Sequence, residues 1–406
     1  MHTRMLALAA ILAALAGAGN QALAQYGPPS PYGYPGQMPG GPGMMPGMPG
    51  MPMMGGPPPG MGPGMMGGGV MPAGYGGPAP AMGCTDVGQP GCTSCGSGCG
   101  DCGWCNRWSV FGEFLYLRAR DAEVAYAVEI DGNITDPSDP AFPVGPVQVV
   151  DPNYQPGFRA GFGFTLDECS MVQVSYTQLD ADANDSLVVS GGANTIARSL
   201  VSPLPITAAV DTLDAEAHLA IQFKLLDADY KGIINCSDVH RLNYVLGVRY
   251  AKLSQEFNAL YTTLGFDTVA TDVDFEGAGI KMGLEGERYG CNRQWFVYGK
   301  GDVAFLGGES RASYFGSNNA DSVLVDTAWE AGRLVTITDL EAGLGWQNHC
   351  GNLRLSAGYM FSVWYNVTRT NEWIHAVQNN NYTDPSDNFY GMMSFDGITA
   401  KIEFLW

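Results

Sequence analysis

The residues of this chain best equipped for chemistry are its ten cysteines, and six of them crowd one stretch: Cys84, Cys92, Cys95, Cys99, Cys102 and Cys105. Their short spacing superficially suits zinc or iron–sulfur ligation. In an exported chain such thiols pair as disulfides instead, and six cysteines allow fifteen full pairings among which the sequence does not choose. The thioethers of Met44, Met45, Met48, Met51, Met53 and Met54 are soft enough for copper(I). They stand in biased low-complexity sequence, however, which is the simpler reading, and no metal is expected. His218, His240, His349 and His375 are scattered, and neither GxSxG nor HExxH occurs. Asp131, Asp136 and Asp139 lack the spacing of a calcium loop. The expectation is a chain that is not an enzyme and holds no cofactor.

A second set of reactive groups consists of charges that alternate with apolar residues: Arg159, Arg241, Arg249, Lys281, Glu285, Glu287, Asp339, Glu341, Arg354, Lys401 and Glu403. Such alternation is the period of a strand with one apolar face. If the apolar face meets lipid, the charged face must line a lumen, since Arg or Lys facing the bilayer midplane costs about 2–4 kcal/mol.

The elements that position these charges follow from the chain's organisation. Residues 1–24 read as a signal peptide: MHTR, then the apolar MLALAAILAALAGAG, then Ala22-Leu23-Ala24 as the cleavage site. Residues 25–83 form a Gly/Pro/Met-rich linker expected to be disordered, because it buries too little surface to offset its ordering entropy. Residues 84–107 are a cysteine-rich segment placed in the periplasm. No later run approaches the ~18 apolar residues of a spanning helix. Yet 46% of the residues are hydrophobic and 56 are glycine. A closed barrel is then the remaining way to span a membrane.

From 108 to 406 the sequence predicts an all-β, closed, antiparallel transmembrane barrel of about ten strands (8–12). Their centres are 108–119, 157–166, 171–179, 217–233, 240–253, 275–288, 294–306, 334–347, 352–366 and 397–406. The first and seventh are ambiguous, with apolar residues on both faces. Short turns at Asp167–Ser170, Asn235–Val239, Tyr289–Arg293 and Asn348–Gly351 alternate with long loops, the rim asymmetry of an outer-membrane barrel. Cys169, Cys236, Cys291 and Cys350 each fall in one of those turns, on the rim expected to face the periplasm. A turn-to-turn or tail-to-turn disulfide needs Cα atoms within about 7 Å; free thiols are the alternative. The loops at 121–156, 180–213, 258–274, 307–333 and 367–394 carry 21 acidic and 4 basic residues, most of the net charge of −20. That charge argues against a nucleic-acid partner. The last strand, GITAKIEFLW, places Ile402, Phe404 and Trp406 on one face as a barrel-terminal signal.

These strand sequences resemble the Legionella-type major outer-membrane proteins, which are pore-forming barrels, and related planctomycete barrels. The resemblance rests on FGEFLYLRA (111–119), GFRAGFGF (157–164), NYVLGVRYAKL (243–253), FEGAGIKMGLEG (275–286), VYGKGDVAFLGG (297–308), LEAGLGW (340–346) and GNLRLSAGYMFSVWYN (351–366). It implies an outer-membrane barrel with a channel for small solutes or ions, and no enzymatic activity or cofactor. The Gly/Pro/Met tract and the cysteine cluster depart from that pattern. They sustain the alternative of a structural envelope barrel, anchored or cross-linked through its N-terminal segment. Expected partners are outer-membrane lipid, the barrel-assembly machinery, and a second copy or other envelope proteins through disulfides. Ten strands imply a narrow lumen, in which mixed charges either line a pore or pair into a plug.

Overall fold

The computed structural model describes residues 106–131, 142–189, 195–202, 214–237, 239–262, 265–319, 323–380 and 390–406, all within the unit Pro78–Trp406. The expected signal peptide, the Gly/Pro/Met tract, the cysteines from Cys84 to Cys105, and Asp136 and Asp139 lie outside the described residues.

In chain order the elements are β1 (Trp108–Arg120), β2 (Val124–Asp131), β3 (Phe142–Val150), β4 (Gln155–Asp167), β5 (Ser170–Val188), β6 (Thr195–Ser199), β7 (Asp214–Ser237), β8 (His240–Thr262), β9 (Phe266–Tyr289), β10 (Trp295–Asn318), β11 (Val325–Gln347), β12 (Leu353–Val367), α1 (Thr370–Asn379) and β13 (Gly391–Leu405). Ten of the strands close into one barrel in the order β1-β13-β12-β11-β10-β9-β8-β7-β5-β4, with β4 returning to β1. Each expected strand overlaps one strand of this ring. The seam joins the first and last strands, with Ser109 opposite Leu405 and Arg120 opposite Ser394. Trp108 and Trp406 exchange backbone N–H···O bonds of 3.0 Å in both directions.

The strict alternation of β1, exposed then buried along its length, explains the two-sided apolar pattern in its sequence. Trp108, Val110, Phe114 and Tyr116 point outward. Inward come Ser109, Phe111 and Glu113, then Leu115, Leu117 and Ala119, all buried. The interior therefore changes from polar to apolar half-way along the strand. The seventh ring strand, β10, repeats the change, with Lys300 and Asp302 facing in before Ala304 and Leu306.

Outside, the exposed apolar belt runs from Leu226 to Ile234 on β7, from Leu246 to Tyr250 on β8 and from Trp295 to Phe305 on β10. A tilted strand crosses the hydrocarbon core in about 9–11 residues, whereas β7, β9 and β10 have 24 residues each. The remainder projects beyond the belt, and there the outward positions become polar: Lys252 and Glu256 on β8, Asp272, Asp274 and Glu276 on β9, Glu309 on β10, Glu330 on β11.

Much of what the sequence suggests as acidic loops is thus continued strand. The clearest correction is 258–274, expected as a long loop: β8 reaches Thr262 and β9 begins at Phe266, so the strands meet in a tight hairpin. Its inner positions, Phe257, Ala259, Tyr261, Val269 and Val273, are buried. Strand geometry persists because it buries that face, whatever the low β propensity of the Asp residues opposite. Two further elements were not expected. These are a small sheet of order β3-β2-β6, of which β3 is largely exposed, and α1; β2, β6 and α1 pack into the apolar end of the barrel.

Candidate functional site: the barrel lumen

Between Asn106 and Leu405 at the short-turn rim and Met360 half-way along, the interior is a polar chamber with a cavity of about 130 Å³. All eleven charged residues named from the sequence line it, as do Glu113, Asp227, Asp229, Lys231, Lys300 and Asp302. Aromatic rings lie over the wall at positions where glycine leaves room. A Cβ on Gly161 would sit 2.4 Å from the Phe111 ring, and one on Gly345 2.1 Å from the Phe296 ring. This contact accounts for the recurring Gly and aromatic residues of the strand sequences.

The charges are paired in three groups. Deepest, Arg249 binds Asp227 through two nitrogens (2.7 and 2.8 Å) and Asp339 through a third (2.6 Å). Lys281 joins the group at 3.0 Å from Asp227 and 2.8 Å from Asp229. Next, Glu341 accepts from Arg159 (3.3 Å), Lys300 (3.0 Å) and the Tyr298 hydroxyl (2.8 Å), while Arg159 also reaches Glu113 at 3.1 Å. Nearest the rim, Glu287 bridges Arg241 (2.8 Å) and Arg354 (2.6 Å), and Lys401 lies 3.3 Å from Glu403. Lys231 donates to Glu285. The side chains of Arg249 and Lys281 are only 3% and 6% exposed, which only charges compensated in this way tolerate.

Five oxygens, Ser109 Oγ, Glu113 Oε1, Asp229 Oδ1, Asn243 Oδ1 and Asp302 Oδ1, are buried without a protein hydrogen-bond partner. All belong to residues lining the chamber.

Beyond Met360 the barrel is filled by apolar side chains. Phe223, Leu253, Phe257, Phe275, Trp364 and Phe395 come from the wall, and Tyr126, Ile196, Trp373, Ile374 and Val377 come from β2, β6 and α1. Side chains tie this core to the wall through backbone groups. Tyr261 donates to Tyr126 O (2.7 Å), Tyr314 to Val201 O (2.7 Å), Gln255 to Thr368 O (2.8 Å) and Trp373 Nε1 to Ser313 O (3.0 Å). Burial, and then the Asp185 carboxylate to which it donates, holds the Tyr126 hydroxyl above its ordinary range.

Other residues singled out from the sequence sit apart. His218 contacts Asn184 and His375 contacts Gln378. His349 lies between β11 and β12. Ser237 Oγ and His240 Nδ1 are 2.6 Å apart, a pairing expected of a nucleophile and its base. Here it clasps a turn: Ser237 opposes His240 across the β7–β8 hairpin and its hydroxyl also accepts Val239 N–H, while Arg288 is the ring's cross-strand neighbour. Asp131 ends β2. No group of His, Cys, Asp and Glu that could hold a metal occurs among the described residues.

Cys169, Cys291 and Cys350 lie in the short turns, and Cys236 is the penultimate residue of β7. Each of the four is disulfide-bonded. In the first turn Asp167 accepts the N–H of Cys169 at 2.8 Å. Hydrogen bonds from the Ser170 hydroxyl and from Cys169 hold that carboxyl below its ordinary range.

A ring of ten antiparallel strands with an apolar outer belt, short turns on one rim and, at the level of that belt, charges turned into the lumen defines an outer-membrane β-barrel. The family model described as the Legionella pneumophila major outer membrane protein precursor matches residues 104–404. The chain belongs to that family. A search of curated proteins finds no match. Among solved structures it is similar to the outer membrane protease OmpT from Escherichia coli (12% identity, 74% of this chain and 97% of that one, TM-score 0.44). It is also similar to the P. putida toluene transporter TodX (8% identity, 74% and 89%, TM-score 0.25) and to a Pseudomonas aeruginosa FadL homologue (8% identity, 74% and 90%, TM-score 0.20). At these scores the likenesses carry no functional inference.

Proposed function

We propose that this protein is a structural barrel of the outer membrane whose lumen is sealed at rest. The short-turn rim faces the periplasm and the acidic strand extensions face outward, the usual orientation of such barrels. The observation that carries this reading is the apolar core of α1, β2 and β6 across the barrel beyond Met360. Ions and small polar solutes have no path through a packed apolar layer, and the charges below it are engaged with one another. The reading agrees with the structural alternative drawn from the sequence and disfavours a resting pore. Single-channel recording of the purified full-length protein in planar bilayers tests it. Silent membranes are the expected result, and steady discrete steps would overturn it.

One observation favours the channel suggested by the family resemblance. The partnerless oxygens of Glu113, Asp229, Asn243 and Asp302 make the chamber a ready site for cations or water. A conducting form would require the apolar core to leave. Removing 370–379 is then expected to give channels that prefer cations, and reversal potentials would show their selectivity.

A further inference from the structure

On the outside of the wall two lysines stand against each other. Lys224 on β7 lies directly opposite Lys252 on β8, and both point away from the lumen, alternating with the buried Phe223, Leu225, Ala251 and Leu253. Directly opposed residues have Cβ atoms about 5 Å apart, and like charges at that spacing destabilise a sheet. Among the described residues neither lysine makes an ion pair or a hydrogen bond. The other outward cations at this end of the barrel strands each hold a carboxylate: Arg118 binds Asp151, Arg120 binds Asp396 and Arg311 binds Glu309.

The acids around the lysine pair are engaged by neutral donors. Glu276, opposite Lys252 on β9, accepts the Tyr250 hydroxyl at 2.7 Å. On the other flank Gln178 stands opposite Lys224 and donates to Asp180 at 2.7 Å. Toward the short-turn rim the outward cross-strand partners become apolar: Leu226 with Tyr250, Ala228 with Val248, and Tyr230 with Leu246. These side chains are exposed and belong to the lipid-facing belt. In the other direction the outward positions are Gln222, Ser254 and Glu256. The lysines therefore mark the edge at which the belt ends, and the wall from Lys224 to Tyr230 runs about 20 Å along the strand beneath them.

We infer that Lys224 and Lys252 together hold the phosphate of a membrane lipid, with its acyl chains against Leu226, Val248 and Leu246. A phosphate between the two ammonium groups accepts a charge-assisted hydrogen bond from each and turns their opposition from a cost into a grip. A lipid fits this place because the pair is continuous with the surface that lipid already covers, and the long lysine stems follow that surface while their heads stay at its polar edge. In the orientation proposed above, the bound lipid belongs to the outer leaflet.

Native mass spectrometry of the full-length protein tests the assignment. The barrel is placed in phosphatidylcholine nanodiscs containing a minor fraction of bisphosphorylated lipid A, and the lipid that stays bound on release from the disc is counted. The unmodified protein is expected to keep one lipid A. Lys224→Gln with Lys252→Gln should keep about tenfold less, the loss of charge-assisted bonds to the phosphate, whereas Lys224→Arg with Lys252→Arg should keep it. Both sites lie outside the lumen and the apolar core, and heat-modifiable migration checks that each variant has formed its barrel. The unmodified protein supplies a second reading: high salt, which screens exposed charges, should lower its retention of lipid A. Equal retention by the unmodified protein and the Gln variant would overturn the inference, as would equal retention of phosphorylated and dephosphorylated lipid A, or retention indifferent to salt. The disc offers the same lipid at both rims and no current is measured, so the result is independent of the barrel's orientation and of whether its lumen conducts.

Discussion

At the scale of the residue, the lumen is a set of desolvated charges held mainly by one another. Arg249 illustrates the consequence, since both Asp227 and Asp339 depend on it. Arg249→Leu leaves buried carboxylates uncompensated and is expected to cost about 3–5 kcal/mol, the usual penalty for breaking a buried pair from one side. Replacing Arg249, Asp227 and Asp339 together by apolar residues of similar volume is expected to be far less damaging, because the desolvation penalty leaves with the charges. Urea unfolding of the refolded barrel in lipid vesicles reads both; equal losses in the two variants would contradict the account. Alternation in the sequence was enough to find Arg249 and Asp339, because their strands show one polar and one apolar face. Glu113, Lys300 and Asp302 were missed for a physical reason: on β1 and β10 the inner face turns apolar half-way, so neither face looks like a lumen. Asp227, Asp229 and Lys231 could have been found, since they alternate with the outward Leu226, Ala228 and Tyr230.

At the scale of the element, the strands outrun the membrane and exchange one solvent for another on both faces. Past the lipid belt the outside becomes acidic and the inside apolar, an inversion of the pattern that identified the strands. That is why the extensions read as loops in the sequence while the membrane-crossing parts were legible. The helix was hidden for a different reason: Arg369 at its N-cap makes no side-chain capping bond, so the usual start signal is absent. Its anchor is Trp373, fully buried; Trp373→Ala should cost about 3–5 kcal/mol and raise hydrogen exchange in α1 while leaving the β1–β13 seam protected. The acidic collar carries a pH prediction. Asp272 stands opposite Glu256 across β8 and β9. Partial burial first, then Glu256 and Asp274, raise its pKa above the ordinary 3.8. A carboxyl raised by folding is a charge the folded state disfavours, so its cost is present above the folded pKa and fades as the pH falls toward the unfolded value. Asp272→Asn should therefore raise the melting temperature at pH 7 and make no difference below about pH 3.8, the ordinary value; an equal shift at both pH values would refute the electrostatic cause.

At the scale of the whole molecule, what makes this chain a barrel is that its first and last strands meet. An open sheet in lipid would expose unpaired backbone groups at both edges, each costing several kcal/mol, and the β1–β13 seam removes those edges. The terminal face of Ile402, Phe404 and Trp406 is legible as a strand end from alternation, and the need to remove both sheet edges assigns the first strand as its partner even though β1 lacks a plainly polar face. The structure pairs them from Ser109–Leu405 onward and closes the rim with the reciprocal Trp108–Trp406 bonds. Deleting Phe404–Trp406 removes those bonds and frees the ends of both β1 and β12, since Leu353 pairs with Phe404. The truncated chain is expected to give no heat-modifiable barrel, seen as loss of the fast-migrating species in unboiled gels. Trp406→Phe keeps the backbone and the aromatic face and should assemble normally. A truncated chain that still inserts and resists protease would mean that closure is set elsewhere along the seam. Loss of assembly in the truncation alone would assign it to the terminal residues that bring β1 and β13 together.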